Sequence, residues 1–233
     1  AWSHHYDLEH AFFYALFYSI SAFNNGGFSL FPNSLMSFSD QYMVTFTISM
    51  LYIIGGIGFV VLMDIKRAKR WKKLSTNSKL ILSTIAGLNL FAFIVIWAIE
   101  ASNPLTLAPM SVGDQALNAW FHATVPRSSG FNSLEVSSMT NASTLITMVL
   151  MFIGGGSVST AGGIKVGTFI IMILSVITFL KRSDEITIFG HSVSHQATFK
   201  AMAVISITSL LILIGFFTLL ILEPDKKFLD LLF

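Results

Sequence analysis

Two short stretches of this chain carry residue types suited to one kind of chemistry, coordination of an ion by backbone oxygen. Ala22-Phe23-Asn24-Asn25-Gly26-Gly27-Phe28-Ser29 and Val125-Pro126-Arg127-Ser128-Ser129-Gly130-Phe131-Asn132 share a pattern: an apolar run, a polar stretch, then Gly-Phe. Ser34 and Met36 fall opposite Ser137 and Met139 in the same register. Glycine adopts backbone angles closed to other residues, so Gly27 and Gly130 can aim carbonyl oxygens at a shared axis. A ring of such oxygens can replace the hydration shell of an alkali cation. The candidate coordinating segments are Asn24, Asn25, Gly26 and Gly27 in one copy and Arg127, Ser128, Ser129 and Gly130 in the other. The alternative is that Gly27 and Gly130 are ordinary turn glycines at helix ends.

A third stretch combines small and hydroxyl residues: Gly154, Gly155, Gly156, Ser157, Val158, Ser159, Thr160, Ala161, Gly162 and Gly163, with Lys165 just beyond. It interrupts an apolar run over 144–180. As one helix that run would be about 55 Å long, more than the roughly 40–45 Å of a whole bilayer. A break at 154–165 is therefore expected, and irregular backbone inside a membrane must line a wet cavity or be buried by protein. The reading is a loop that blocks or opens a path below the two Gly-Phe turns. The alternative is a patch of close helix packing, which small residues also favour. The matching Gly55-Gly56-Ile57-Gly58 is shorter and reads as a packing site or kink. The Gly spacing and the missing Gly-Lys-Ser/Thr ending exclude a phosphate loop.

Other chemistries find no support. There are no cysteines, hence no thiol nucleophile, disulfide or thiolate metal site. His4, His5, His10, His122, His191 and His195 form no convincing ligand set. No nucleophile–base pair stands out, so the chain does not read as an enzyme. Arg127, beside the second turn, is expected to brace it through carbonyls or through Glu135, because charges within a membrane are usually paired. Asp40, Asp64 and Glu100 lie at the ends of apolar spans, where contact with solvent or headgroups is expected.

The elements that must position these turns follow from hydropathy. The chain is 54% hydrophobic and 11% charged. Soluble domains carry about 25% charged residues, so lipid is the expected solvent. Runs over 42–63, 80–99, 144–180 and 201–222 are long enough to cross about 30 Å of hydrocarbon. Runs over 11–23 and 116–125 are too short and should dip in and return. Half of the fourteen Lys and Arg lie between Lys66 and Lys79, which places that loop in the cytoplasm. The segment between Glu100 and Asn141 then lies outside, and 181–200 inside. The basic run 66–73 reads as a topology anchor with anionic lipid contact in addition. Each dipping helix enters from outside, so its C-terminal, partly negative end points inward and favours a cation.

The stretches 21–31, 127–132 and 154–165 together resemble the Trk/Ktr/HKT family of potassium transporters, and within it the membrane subunits of the bacterial Ktr branch. The family turn often reads Asn-Ala-Gly-Phe where this chain has Asn25-Gly26-Gly27-Phe28. The resemblance covers essentially the whole chain and implies an all-α integral membrane fold, with repeated helix–re-entrant pore helix–helix units around a central ion pore. It reads the chain as an internal fragment. Residues 1–79 would be a second repeat lacking its first helix, with pore helix 11–23, filter 24–29, spanning helix 42–63 and cytoplasmic loop 64–79. Residues 80–200 would be a third repeat, with helix 80–99, pore helix 114–126, filter 127–132, a broken helix 142–180 holding gating loop 154–165, and loop 181–200. Residues 201–233 would start a fourth, with helix 201–222 and the beginning of a pore helix. The resemblance further implies K+ as the transported ion, Na+ as an accompanying ion, and no bound cofactor. It implies a homodimer in the cell (cytoplasmic) membrane, a cytosolic nucleotide-binding regulatory ring as partner, and no nucleic acid. An alternating-access transporter for another cation or small substrate, or an assembly subunit without transport, remain the alternatives.

Overall fold

The computed structural model describes residues 7–127, 130–182, 185–226 and 228–232. The chain is mostly helical: α1 (Leu8–Phe23), α2 (Tyr42–Ile57), α3 (Phe59–Ala68), α4 (Thr76–Glu100), α5 (Val112–Thr124), α6 (Asn141–Phe152), α7 (Val166–Leu180), α8 (His195–Leu222) and α9 (Phe228–Leu232). Hydroxyl side chains set four of the helix starts. Ser75, Ser111, Thr140 and Ser194 accept from the backbone N–H of Ser78, Asp114, Ser143 and Ala197, filling donors that have no partner within the helix.

Helices α4 and α8 are each long and apolar enough to cross a membrane, and the pair α2–α3 would be a third crossing if counted together. That pair departs from the single helix expected over 42–63. It is bent by 92° at Gly58, whose φ of +100° is open to glycine alone at little cost. The run expected as a broken helix over 142–180 is two helices, α6 and α7, with 153–165 outside both. Helix α4 begins at Thr76 rather than residue 80, because the Ser75 cap lies that far upstream. The expected loop 181–200 contains a two-strand turn, β1 (Thr187–Ile188) paired with β2 (His191–Ser192), and its last residues already belong to α8.

The core sits where the two Gly-Phe copies meet. Tyr18 and Ala22 of α1, Val44, Ile48 and Tyr52 of α2, Phe121 of α5, and Leu35, Phe38, Val125 and Phe131 from the connections form one buried cluster. A second cluster of Val61, Ile81, Ile85, Ile153 and Val166 packs α3, α4 and α7 together at the other end. Helix α8 has none of its most apolar window buried, and Leu210, Leu211, Leu213 and Phe217 are all exposed.

Glu100 is not at a solvated boundary as its place at a span end suggested. It is fully buried. One carboxylate oxygen accepts from the N–H and hydroxyl of Thr140, at 2.9 and 2.7 Å. The other accepts from Asn103 Nδ2 at 2.7 Å and Thr106 Oγ1 at 2.6 Å. The carboxylate thus ties the end of α4 to the start of α6. Its desolvation cost is offset because four donors replace water. Glu100→Ala would strand those donors and is expected to destabilise the fold by about 3 kcal/mol. Thermal melting of the purified protein in detergent checks this, and an unchanged midpoint would contradict the assignment.

Candidate functional site

The first Gly-Phe turn grows directly from the end of α1. The N–H groups of Asn24, Asn25 and Gly26 donate to the carbonyls of Ile20, Ala22 and Ser21, at 3.1, 3.0 and 2.8 Å. Asn25 and Gly27 then take left-handed angles, with φ of +53° and +66°, while Gly26 does not. The chain after the turn is pinned back onto its own helix: Ser21 Oγ donates to the Phe28 carbonyl at 3.0 Å, and the Tyr18 hydroxyl accepts from the Leu30 N–H at 3.1 Å.

The second Gly-Phe segment lies beyond α5, at whose end the Val125 N–H donates to the Phe121 carbonyl at 2.9 Å. Gly130 has φ of +67°, matching Gly27. Phe131 is fully buried, its ring centroid 5.9 Å from that of Tyr18. The imidazole Nε2 of buried His122 accepts from the Leu134 N–H at 3.1 Å, holding the returning strand against α5. Arg127 is buried and donates to the side-chain oxygen of Asn89 on α4. Glu135, one of the partners expected for it, is exposed and accepts from Ser137. Ser128 and Ser129, also expected in this turn, lie outside the described residues.

The two turns adjoin. A Cβ placed on Gly130 would lie 3.5 Å from Gly27 Cα and 4.0 Å from its carbonyl oxygen. Two hydrogen bonds stitch the segments beyond them: Asn132 N–H to Ser34 Oγ at 3.0 Å, and Leu35 N–H to the Asn132 carbonyl at 2.9 Å.

The small-residue stretch 153–165 folds back on itself. Gly154 N–H donates to the Ile164 carbonyl and Ile164 N–H to that of Phe152, at 2.9 and 3.1 Å. Lys165 Nζ donates to the Ala161 carbonyl at 2.6 Å, which closes the loop with the charge of the run turned onto its own backbone. The folded loop docks on the Gly-rich end of α2. Gly156 N–H donates to the Gly56 carbonyl, Thr160 N–H to that of Gly55, and Phe59 N–H to that of Val158, at 2.8, 3.4 and 3.0 Å. A Cβ on Gly154 would overlap the Gly162 carbonyl, and one on Gly156 the Ile57 carbonyl, so these glycines are demanded by backbone-to-backbone contact. Gly154, Gly155 and Gly156 are buried, whereas Thr160, Gly162 and Gly163 are exposed and Ser157, Ser159 and Lys165 are partly so.

One side chain links the loop to the first turn. Thr160 Oγ1 donates to the Phe23 carbonyl at 3.1 Å and accepts from Asn25 Nδ2 at 2.7 Å. Asn25, Tyr52, Asn89, Thr124, Arg127, Gly155 and others enclose a cavity of about 20 Å³ beside this link, room for about one water molecule. Asn24 caps its own helix by donating from Nδ2 to the Ile20 carbonyl. Sequence reasoning missed the Thr160 link, the role of His122 and the pairing of Arg127 with Asn89. Asn89 carried a signal of its own, as a polar residue in the middle of an apolar span. Among the described residues no group of three or more His, Asp or Glu is placed to hold a metal ion.

Residues 3–233 match the sequence profile of the TrkH family, described as cation transport proteins. The chain belongs to that family. It is 43% identical over 229 residues to the Ktr system potassium uptake protein B of Bacillus subtilis, covering 98% of this chain and 51% of that protein. It is 39% identical over 215 residues to the protein of the same name from Vibrio alginolyticus, covering 91% of this chain and 47% of the relative. The crystal structure of the potassium transporter TrkH from Vibrio parahaemolyticus superposes with a TM-score of 0.79 at 19% identity, covering 91% of this chain and 46% of that one. This last likeness shows a shared fold. The chain spans about half the length of the relatives it matches, and the TrkH family transports cations rather than catalysing a covalent reaction.

Thr160→Val removes both the donor to Phe23 and the acceptor for Asn25 while keeping shape. It is expected to cost about 1 kcal/mol, since two hydrogen bonds are lost at a partly exposed site, and to speed amide exchange at residues 158–160. Exchange measured by mass spectrometry checks this; unchanged protection would mean the link does not hold the loop.

Proposed function

We propose that this chain forms part of a pore that conducts K+ across the cytoplasmic membrane, with α1 and α5 as re-entrant pore helices. Backbone oxygens of 24–27 and 127–130 would coordinate the dehydrated ion. The observation that carries this reading is the apposition of Gly27 and Gly130, with matching left-handed angles of +66° and +67°, at the ends of two helices in equivalent positions of a repeat. Helix C-termini aimed at one point favour a cation there, and glycine leaves the backbone free to present oxygen without a side chain in the way. The names of the relatives, potassium uptake proteins in two bacteria, support K+ as the ion. A family member named as a potassium/sodium uptake protein, 32% identical over 214 residues, from Enterococcus hirae, supports Na+ as an accompanying ion. K+ is substrate here, and no resident cofactor is invoked.

Two turns close only part of a ring around an ion, so further chain or a second polypeptide completes it. In this reading 154–165 is the gate. Its docking on α2 and its contact with Asn25 through Thr160 support a loop seated against the coordinating segment. A homodimer, and a cytosolic nucleotide-binding ring on the side of loops 64–79 and 181–200, complete the proposed assembly; the designation "Ktr system" shared by two relatives supports more than one component.

Two experiments on the full-length protein in liposomes test this. Gly130→Ser forces an L-residue into φ of +67° against Gly27, and is expected to lower the K+ over Na+ preference on the order of 10-fold, since about 1–2 kcal/mol of strain falls on the coordinating backbone. Selectivity equal to wild type in a paired flux assay would sink the filter assignment. Deleting residues 156–162 is expected to raise K+ flux several-fold; flux at or below wild type in a variant that still folds would contradict a blocking loop.

A further inference from the structure

The 92° bend at Gly58 turns α3 and the basic tract away from the axis of α2. If α2 runs along the membrane normal, α3 runs close to the membrane plane. Along α3 and the turn after it, Phe59, Val60, Ile65 and Trp71 are exposed apolar residues. Interleaved with them, Lys66, Arg67, Lys69, Arg70, Lys72 and Lys73 are exposed cations. Val61, on another face, is fully buried against α4 and α7. An exposed apolar and basic face on a helix that lies flat is the pattern of a segment resting at the headgroup boundary.

The tract is also built rather than loose. Lys69 ends α3 in a left-handed conformation with φ of +53°. Residues Trp71–Lys73 form a tight helical turn, Leu74 is buried, and Lys79 Nζ donates to the Lys72 carbonyl at 3.3 Å. The carboxylate nearest in sequence to the cations, Asp64, is engaged elsewhere. Its Oδ2 accepts from the N–H and hydroxyl of Ser75, at 2.9 and 2.7 Å, which staples the tract's far end back to α3. Six cations are thereby presented on a shaped surface together with exposed Trp71, a residue type that favours the membrane interface.

We propose that 59–73 is a binding site for anionic phospholipid headgroups, in which the lysines and arginines contact lipid phosphate and Phe59, Val60, Ile65 and Trp71 sink into the acyl boundary. The site has a mechanical connection: the N–H of Phe59, at the root of α3, donates to the carbonyl of Val158 in the folded loop, so lipid held by α3 also steadies 153–165. The inference rests on the chain lying in a membrane and not on the identity of the ion it passes.

The test uses purified full-length protein, native mass spectrometry, and equal exposure to phosphatidylglycerol and phosphatidylcholine. Wild type is expected to retain phosphatidylglycerol preferentially, and high salt is expected to erase the preference. Lys72→Gln combined with Lys73→Gln lies beyond α3 and leaves the other basic residues to set orientation. It is expected to weaken phosphatidylglycerol retention on the order of 10-fold, while Lys72→Arg with Lys73→Arg preserves it. Equal retention of the two lipids by wild type, or full retention by the glutamine pair, overturns the proposal. A tract that seats an acidic protein partner instead would give the first of these results. Because the readout is bound lipid rather than flux, its failure is distinguishable from failure of the pore reading.

Discussion

Backbone packed directly against backbone is the constraint on which this structure depends. It occurs between Gly27 and Gly130 at the paired turns, and between 154–156 and the Gly-rich end of α2. At the paired turns a methyl on Gly130 would touch Gly27 at ordinary contact distance, whereas at the second contact a single methyl group would overlap a carbonyl oxygen. Such contacts bring many peptide dipoles into a small volume. At the loop that volume is tolerable in a low-dielectric setting because N–H groups find carbonyl partners across the contact, Gly156 to Gly56 and Thr160 to Gly55.

Around this backbone contact, isolated polar side chains act as fasteners. Glu100 joins α4 to α6, His122 holds the strand leaving the second turn, Arg127 reaches Asn89, and Thr160 bridges the loop to Asn25. Glu100, His122 and Arg127 are buried while Thr160 is exposed, and each makes at least one hydrogen bond to a segment twelve or more residues away. Without water nearby, such a bond has no ready substitute, so a few of them define positions that apolar packing alone would leave free to slide.

Much of the helical framework was legible in the sequence, because hydropathy and helix length carry it. Helices at the two short apolar runs, the long runs and the break in 144–180 were expected from apolar run length and glycine content, and the structure places α1, α4, α5, α6, α7 and α8 at or near those runs. The family was legible in three short motifs. What escaped was geometry that depends on contact rather than composition. Gly55-Gly56-Ile57-Gly58 read as a packing site or kink, and the right angle at Gly58 was not foreseen, since φ of +100° leaves no trace beyond the presence of a glycine. Glu100 looked like a boundary residue because its partners, Thr106 and Thr140, are unremarkable alone. Arg127 was expected to reach carbonyls or Glu135, and the fold adds an amide oxygen from a different helix, that of Asn89.

The Glu100 clamp also bears on the order in which the chain is assembled. Ribosomal synthesis presents residue 100 well before residue 140, so the carboxylate emerges while Thr140 does not yet exist. Asn103 and Thr106, three and six positions further on, are the acceptable interim hosts, and both hold the same oxygen in the finished fold. The second oxygen is left vacant until α6 arrives. The end of α4 therefore carries half of a socket that the start of α6 completes.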